Sequence, residues 1–282
     1  MPELPEVETV CRGLLPILEN AILQDVVVRQ RNLRFPVPKN FRQKLLFRRV
    51  LTVRRRAKYI LMMLDDDDVI ISHLGMSGRM TIYPAGEDVP PPGRHDHIEF
   101  KTTTGNLIRF SDPRRFGFMT LTSTQCLKEH KLLRNLGPEP LGNEFSGPIL
   151  AASLKGRNTP IKSALLDQRT LAGLGNIYVC ESLFGAGISP KRKAATVQGT
   201  RAEKLVQAIR VVLTEALEAG GSSLHDYVQP DGKLGYFQNC FKVYGQEGKA
   251  CPGCHCNFLV TGGIKRISQA GRSTFYCSRK QR

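Results

Sequence analysis

The beginning of the chain places apolar side chains at helical spacing. Val7, Val10, Leu14 and Leu18 fall on one face of a helix. Pro5 suits the first turn of that helix, because the N–H group that proline lacks would have no partner there. The pattern therefore predicts a helix at the start of the chain.

Strand-like runs with turn residues between them follow this helix. They are Ile22–Gln30, Arg49–Leu64, Val69–Leu74, Arg79–Tyr83, Ile98–Thr102, Leu107–Phe110 and Gly117–Leu121. Asp65–Asp68 predicts a solvated hairpin turn, and the proline-rich stretch Pro84–Gly93 predicts a loop. We interpret residues 1–137 as a mostly β domain with a leading helix.

Helical patterns return after a segment rich in proline and glycine at residues 137–150. Thr200 and Glu203 form a capping-box pattern, and Gly220–Gly221 supplies a stop. The apolar stripe between them is Leu205, Ile209, Val212 and Ala216. We predict a helical domain over residues 150–240 and a short β-rich domain over residues 241–282, which makes the chain an α+β protein.

The net charge of the chain indicates which class of molecule it binds. Lys and Arg number 41 against 25 Asp and Glu, which gives a formal net charge of +16. So basic a protein usually meets a polyanion, most often nucleic acid. No apolar stretch is long enough to span a membrane, and the acidic residues of MPELPEVETV are unlike a targeting peptide. Eight cysteines, four of them between Cys251 and Cys277, fit a cytoplasmic protein with a cysteine-rich end.

The second residue offers unusual chemistry if Met1 is removed. Pro2 would then carry a secondary amine with a pKa of about 7.7–8.0, partly neutral and nucleophilic. Its attack on the C1′ carbon of a sugar gives an iminium cation that favours elimination, and Glu3 or Glu6 could move protons. On residue types alone, an ordinary helix start is the favoured interpretation.

Motifs along almost the whole chain resemble bacterial formamidopyrimidine-DNA glycosylase. They are MPELPEVETV at the start, RRRAKYI (Arg54–Ile60), HLGMSGRM (His73–Met80), HDHIEF (His95–Phe100), SDPRRFG (Ser111–Gly117), LGPEPL (Leu136–Leu141), the run Ile161–Pro190, and GRSTFYC (Gly271–Cys277). The resemblance implies that residues 1–137 form a catalytic β-sandwich domain, residues 150–240 a DNA-binding helix–two-turns–helix domain and residues 241–282 a C-terminal zinc-finger-like β-hairpin ribbon. It also implies a base-excision-repair enzyme that removes oxidised purines and then cleaves the strand by β,δ-elimination.

The resemblance assigns catalytic roles to four residues. Pro2 is implied as the nucleophile on C1′, Glu3 as the acid, Lys58 as a participant in strand elimination, and Arg272 as the residue of the δ-elimination step. Three arginines precede Lys58 on an apparent strand, and nearby cations lower the pKa of a lysine.

DNA contacts are implied at further positions. Met76, Arg114 and Phe116 would fill the gap left by an extruded base, since apolar side chains replace stacking and arginine can donate to the widowed base. The residues implied to hold the phosphate backbone or the tight turn beside it are His95, Arg114, Arg157 and Asn176. Ser222–Tyr236 matches the loop that wraps the extruded base.

The ribbon departs from the family pattern. One zinc ion per chain is implied, held by Cys251, Cys254, Cys256 and Cys277, but Lys280 stands where a fourth paired cysteine is expected. His255 could replace one of these ligands, or the metal could be lost and the hairpin held by packing. We predict that metal is bound. Another expectation places the other cysteines, Cys11, Cys126, Cys180 and Cys240, in buried apolar sites.

The expected partner is double-stranded DNA with oxidised bases or abasic sites, bound by a cytoplasmic monomer that needs no redox cofactor. Two alternatives stay open. One is an endonuclease VIII-like glycosylase for oxidised pyrimidines, although Leu4 favours the formamidopyrimidine branch. The other is a DNA-binding homologue that has lost catalysis.

Overall fold

The computed structural model describes residues 2–222, 230, 235–255 and 257–282. The chain forms two compact units. Unit 1 comprises Met1–Arg134 and Ala219–Tyr236, and unit 2 comprises Asn135–Glu218 and Phe237–Arg282. Among the described helices, none combines the length and apolar character that a membrane crossing requires.

Unit 1 opens with helix α1, Leu4–Leu18, as the apolar spacing predicted. Glu3 precedes it in an extended conformation as the N-cap, and proline lies in the first turn. The predicted stripe is buried, with Val7 and Leu14 at most 1% exposed. Pro16 lies inside the last turn of α1, and the helix ends two residues later.

Eight strands and a short helix complete most of unit 1. They are β1 Leu23–Val28, α2 Phe41–Leu45, β2 Val50–Arg56, β3 Tyr59–Leu64, β4 Asp68–His73, β5 Arg79–Tyr83, β6 Asp96–Thr102, β7 Leu107–Ser111 and β8 Phe118–Ser123. The eight strands form two antiparallel four-stranded sheets, in the orders β1-β6-β7-β5 and β2-β3-β4-β8. Both sheets contribute to one buried cluster, with Phe100 from the first, Met62 from the second and Leu14 from α1. The β-sandwich with a leading helix is therefore confirmed.

One predicted strand was wrong in its extent. The run Arg49–Leu64 is two strands, β2 and β3, joined by a turn at Ala57 and Lys58. Ala57 has φ 53°, a left-handed conformation that alanine adopts at a cost. Because no glycine or asparagine marks this turn, the sequence offered no hairpin signal. Lys58 consequently lies in a turn and not on a strand.

Unit 2 is mainly helical before its C-terminal hairpin. Its elements are α3 Gly147–Leu154, α4 Ile161–Leu166, α5 Asn176–Gly185, α6 Thr200–Glu218, α7 Phe258–Thr261, β9 Lys265–Gln269 and β10 Arg272–Tyr276. α4, the turns of residues 167–175 and α5 form the helix–two-turns–helix. The side chain of Gln168 holds the second turn, accepting the N–H of Gly173 at 2.9 Å and donating to the carbonyl of Leu174 at 2.8 Å. Gly173 has φ 87°, which explains glycine at that position.

Helix α6 buries its predicted stripe, including Leu205 and Ile209 at 0% exposure. It ends before Gly220 and Gly221, both with positive φ, as predicted. The predicted capping box was wrong, because no hydrogen bond joins Thr200 and Glu203, two residues that the structure describes. A Cβ on Gly147, at the start of α3, would lie 2.3 Å from the Glu203 carboxylate, so this acid packs against α3 instead.

The ribbon is the antiparallel hairpin β9–β10, which packs with α5 through a second buried cluster that includes Phe184 and Phe275. Its short helix α7 exposes Leu259 and Val260 at 91% and 80%.

The expectation for the four cysteines outside the ribbon was wrong in half of its cases. Cys11 and Cys180 are buried, whereas Cys126 and Cys240 are exposed. Burial raises the pKa of the Cys11 thiol to about 12, and the negative charge of Glu8 adds to this effect. Cys126 and Cys240 lie in turn and 3₁₀ segments, where a small apolar side chain has no core to join.

Candidate active site and nucleic-acid interface

The start of α1 is tied to the segment that follows α6. Pro2 and Glu3 are buried, and the backbone N–H of Glu3 donates to the carboxylate Oε2 of Glu6 at 2.8 Å. The other oxygen, Glu6 Oε1, accepts the N–H of Ser222 at 2.8 Å. Glu6 therefore serves as an anchor between two backbone segments of unit 1. Of the loop predicted to wrap a base, residues 223–229 and 231–234 lie outside the described residues.

Lys58 and His73 lie at the end of the second sheet, where the positive charge of Lys58 acts on the ring of His73. Lys58 is 7% exposed in its turn. Burial, the charge of Lys58 and the charge of Arg34 together lower the pKa of His73 to about 4. His73 Nδ1 accepts the N–H of Gly75 at 2.8 Å, which fixes the ring in a neutral form at neutral pH. His73 was missed as a site residue, although it opens the HLGMSGRM motif.

Three side chains predicted to fill a base-pair gap lie on two neighbouring turns of unit 1. Met76 is 38% exposed, Phe116 is 42% exposed, and Arg114 is exposed beside them. The guanidinium carbon of Arg114 lies 4.8 Å from the centre of the Phe116 ring. Large apolar side chains are usually buried, so two of them at the tips of adjacent turns form an uncommon surface.

Asp112 locks these two turns together. Its carboxylate accepts the hydroxyl of Ser77 at 2.6 Å and the N–H of Gly117 at 2.7 Å, and Asp112 is fully buried. Gly75 has φ 65°, and a Cβ there would lie 2.3 Å from the nitrogen of Gly117. The backbones thus approach too closely for any other residue at position 75, and the three exposed side chains rest on a rigid base.

His95 and Arg157, two of the residues predicted to contact phosphate, differ in whether their side chains already bond to other side chains of the protein. His95 is exposed just before β6. Arg157 is half-buried, donating to Thr170 Oγ1 at 2.8 Å and lying 3.5 Å from the carboxylate of Asp167. His95 is therefore open to a ligand, whereas Arg157 is held in place by side chains of the first turn after α4.

Asn176 and Arg272 lie together in unit 2. Asn176 begins α5, and its Nδ2 donates to the carbonyl of Ser273 at 3.0 Å. Arg272, the exposed neighbour of Ser273, begins β10. Lys162 is fully buried below them and donates to the same carbonyl at 3.0 Å and to Thr274 Oγ1 at 2.7 Å. Sequence reasoning missed Lys162, which supports the strand that carries Arg272.

Three of the four predicted metal ligands lie together in the ribbon. The sulfur atoms of Cys251, Cys254 and Cys277 all lie within 4.8 Å of one another, and those of Cys254 and Cys277 are 3.6 Å apart. A tetrahedral zinc site with Zn–S bonds of about 2.3 Å places sulfurs about 3.8 Å apart, so the spacing fits. This group could hold a metal ion. Cys256, the fourth predicted ligand, lies outside the described residues, and exposed His255 does not belong to the group.

Lys280 does not take the place of a ligand. Its backbone N–H lies 3.5 Å from the sulfur of Cys277 as a donor. Its ammonium group lies 4.3 Å from the centre of the Phe184 ring, a cation–π contact. The side chain therefore contacts α5.

Comparisons with known proteins agree with these features. Residues 1–119 match the family model for the formamidopyrimidine-DNA glycosylase N-terminal domain, and residues 136–228 match that for the formamidopyrimidine-DNA glycosylase H2TH domain. The formamidopyrimidine-DNA glycosylases of Ruegeria pomeroyi and Rhodospirillum rubrum are each 54% identical to the chain, and each comparison covers 100% of this chain and 100% of the relative.

Solved structures are similar over the same length. The MutM (FPG) protein from Thermus thermophilus is 39% identical with a TM-score of 0.85, covering 99% of this chain and 98% of that one. The complex of Lactococcus lactis Fpg with DNA that contains an abasic site is 31% identical with a TM-score of 0.88, covering 99% of both chains. A mutant of Lactococcus lactis FPG, solved in complex with DNA containing Fapy-dG, is 32% identical with a TM-score of 0.88, covering 100% of both chains.

Proposed function

Because the chain belongs to the formamidopyrimidine-DNA glycosylase family, we propose that it is a bifunctional DNA glycosylase and abasic-site lyase for oxidised purines. Its substrate is double-stranded DNA that carries 8-oxoguanine, a formamidopyrimidine or an abasic site. It acts in base-excision repair in the cytoplasm, where its thiols stay reduced.

The observation that carries the proposal is the exposed group of Met76, Arg114 and Phe116 on two locked turns. An enzyme that acts on a base inside a duplex must turn that base out and fill the gap. Two apolar side chains can replace lost stacking, and Arg114 beside Phe116 can donate to the widowed base. Their rigid support holds them ready without a folding step.

The chemistry begins at the amine of Pro2 once Met1 has been removed. The nitrogen attacks C1′ of the damaged nucleotide, the bond from C1′ to the base breaks, and the nitrogen loses its proton. Glu3 then provides a proton to O4′, so that the C1′–O4′ bond opens and leaves a cationic iminium. The iminium withdraws electrons and acidifies the C2′ proton. Loss of that proton expels the 3′ phosphate by β-elimination, and loss of the C4′ proton then expels the 5′ phosphate by δ-elimination. Lys58 assists the first elimination and Arg272 the second.

Cys251, Cys254 and Cys277 would hold one zinc ion in the ribbon, with Cys256 as the fourth ligand. When bound, zinc supplies structural cross-linking rather than catalysis, because four thiolates leave no open position. Protein purified without chelator should contain about one zinc per chain by elemental analysis. A metal-free preparation that still cleaves lesion DNA would show that the ribbon is held by packing.

Borohydride trapping tests the nucleophile. The wild-type protein should form a covalent adduct with an 8-oxoguanine duplex, and Pro2→Gly should lose it. Pro5→Ala is the matched control, because it changes the adjacent proline of α1 and leaves the terminal amine intact. An adduct that survives unchanged in Pro2→Gly would rule out this nucleophile. Intact mass must show removal of Met1 in each preparation.

The same assay separates the two alternative functions. Faster processing of a thymine-glycol duplex than of an 8-oxoguanine duplex would indicate an endonuclease VIII-like enzyme. Tight binding of both duplexes with no adduct, in protein that lacks Met1, would indicate a homologue without catalysis.

A further inference from the structure

A cleft of unit 2 contains three lysines that the proposed repair reaction does not use. It lies among α5, α6 and the ribbon, and its volume is about 380 Å³. Lys204 comes from α6, Lys242 precedes the ribbon and Lys280 follows β10. We call this the lysine cleft. Apolar groups, including Phe184 and half-exposed Val211, form the rest of its wall.

The positive charge of the lysine cleft is not neutralised by ion pairs within the described residues. Lys204, Lys242 and Lys280 have no salt-bridge partner there. Glu181 is the one acid among the described lining residues, and it is buried. Its carboxylate accepts three backbone N–H groups, those of Lys242, Val243 and Tyr244, at 2.8–3.0 Å. The three ammonium groups therefore remain available to an anionic ligand.

The lysine cleft lies at the far end of α5 from the proposed DNA contacts of this unit. Asn176 at the start of α5 bonds to Ser273 near the start of β10. At the other end of both elements, Phe184 contacts Lys280. Phe184 lies eight positions after Asn176 in the helix, a distance of about 12 Å along the axis. A duplex held by Asn176 and Arg272 is therefore not the natural occupant of this cleft.

We propose that the lysine cleft binds an acidic segment of a partner protein that carries apolar side chains next to its carboxylates. The carboxylates pair with the three lysines, and the apolar side chains cover Val211, which is 53% exposed. Charge complementarity supports an acidic ligand, because the three lysines have no salt-bridge partner among the described residues. Exposed Val211 beside them favours a protein segment, since its apolar side chains can cover Val211 and a phosphate backbone cannot.

Fluorescence anisotropy tests the proposal in the absence of DNA. The probe is a fluorescein-labelled hexapeptide of four glutamates followed by leucine and phenylalanine. The test variant carries Lys204→Glu, Lys242→Glu and Lys280→Glu. The control variant carries Lys39→Glu, Lys101→Glu and Lys128→Glu, three exposed lysines of unit 1, and has the same net charge. Lys204→Glu with Lys242→Glu is a second test variant that leaves the ribbon unchanged.

The wild type and the control should bind the probe with similar dissociation constants, and the triple test variant should bind it roughly tenfold more weakly, since each exposed ion pair contributes little. A probe with serines in place of leucine and phenylalanine should also bind more weakly. Equal loss in test and control variants would mean non-specific charge attraction and would overturn the proposal. Displacement of the probe by undamaged duplex, with weaker duplex binding by the test variants, would assign the cleft to phosphate instead. Borohydride trapping should be unchanged in the test variants, so the two proposals can fail separately.

Discussion

Asp112 gives the sharpest prediction, because one buried carboxylate supports the two turns that carry Met76, Arg114 and Phe116, the residues that we propose fill the gap. Asp112→Ala removes the acceptor of the Ser77 hydroxyl and of the Gly117 N–H, and it weakens the support of the Arg114 N–H at 3.2 Å. The first two donors are buried and would lose their partner without access to water.

A buried donor that loses a charged partner costs about 1.5–3 kcal/mol. Two such donors, with a smaller contribution from the third, give a loss of about 4 kcal/mol in the free energy of unfolding of unit 1. At roughly 2–4 °C per kcal/mol, the melting temperature should fall by about 10 °C. Binding of an abasic-site duplex should weaken as well, because Met76 and Phe116 lose their fixed positions.

Urea unfolding and electrophoretic mobility shift with the duplex measure the two effects. Asp25→Ala is the control, because its salt bridge to Arg42 is exposed and its loss should change stability by no more than about 1 kcal/mol. The reasoning would be refuted if Asp112→Ala and Asp25→Ala unfolded with the same free energy. Normal stability with lost DNA binding would place the role of Asp112 in DNA contact rather than in support.

Three further predictions concern other buried groups. The pKa of His73 is about 4, below its ordinary value, so the unfolded state takes up a proton before the folded state does as the pH falls. The free energy of unfolding should therefore drop by about 2–3 kcal/mol between pH 6.5 and pH 4. In urea unfolding, His73→Gln should show a smaller drop over the same pH range. The guanidinium of Arg109 lies 2.6 Å from the buried carboxylate of Glu99, and Arg109→Met leaves that carboxylate with fewer partners. The variant should lose about 3–5 kcal/mol in the free energy of unfolding, measured by calorimetry. Arg12→Met, on the surface, should lose under about 0.5 kcal/mol. Ellman's reagent should react in the native protein with exposed Cys126 and Cys240, and with Cys11 only after denaturation; fast native labelling of Cys11 would contradict its buried position.

Features that depend on side-chain periodicity could be predicted from the sequence. The face of α1 and the stripe of α6 follow from the helical repeat, and the strands follow from apolar runs between turn residues. The gap-filling residues were predicted only through resemblance, since Met76 and Phe116 taken alone look like core residues. Their exposure is visible only in the structure.

Features that depend on contacts between distant residues could not be predicted. Lys162 bonds to Ser273 and Thr274, more than one hundred positions along the chain. The low pKa of His73 depends on burial and on Lys58 from another strand pair. The turn at Ala57 could not be predicted for a different, local reason, because alanine in a left-handed conformation has no sequence signature.

The places where the chain departs from ordinary rules mark its surfaces for binding. Exposing Met76 and Phe116 costs hydrophobic free energy, of the order of 1 kcal/mol for each half-buried side chain, and Asp112 adds a buried charge to hold them there. Such costs persist when a function depends on them. The lysine cleft groups three lysines that have no salt-bridge partner among the described residues, far along α5 from Asn176, and their mutual repulsion also costs free energy. The same reasoning supports both proposals, that Met76, Arg114 and Phe116 fill a base-pair gap and that the lysine cleft binds a ligand other than the damaged duplex.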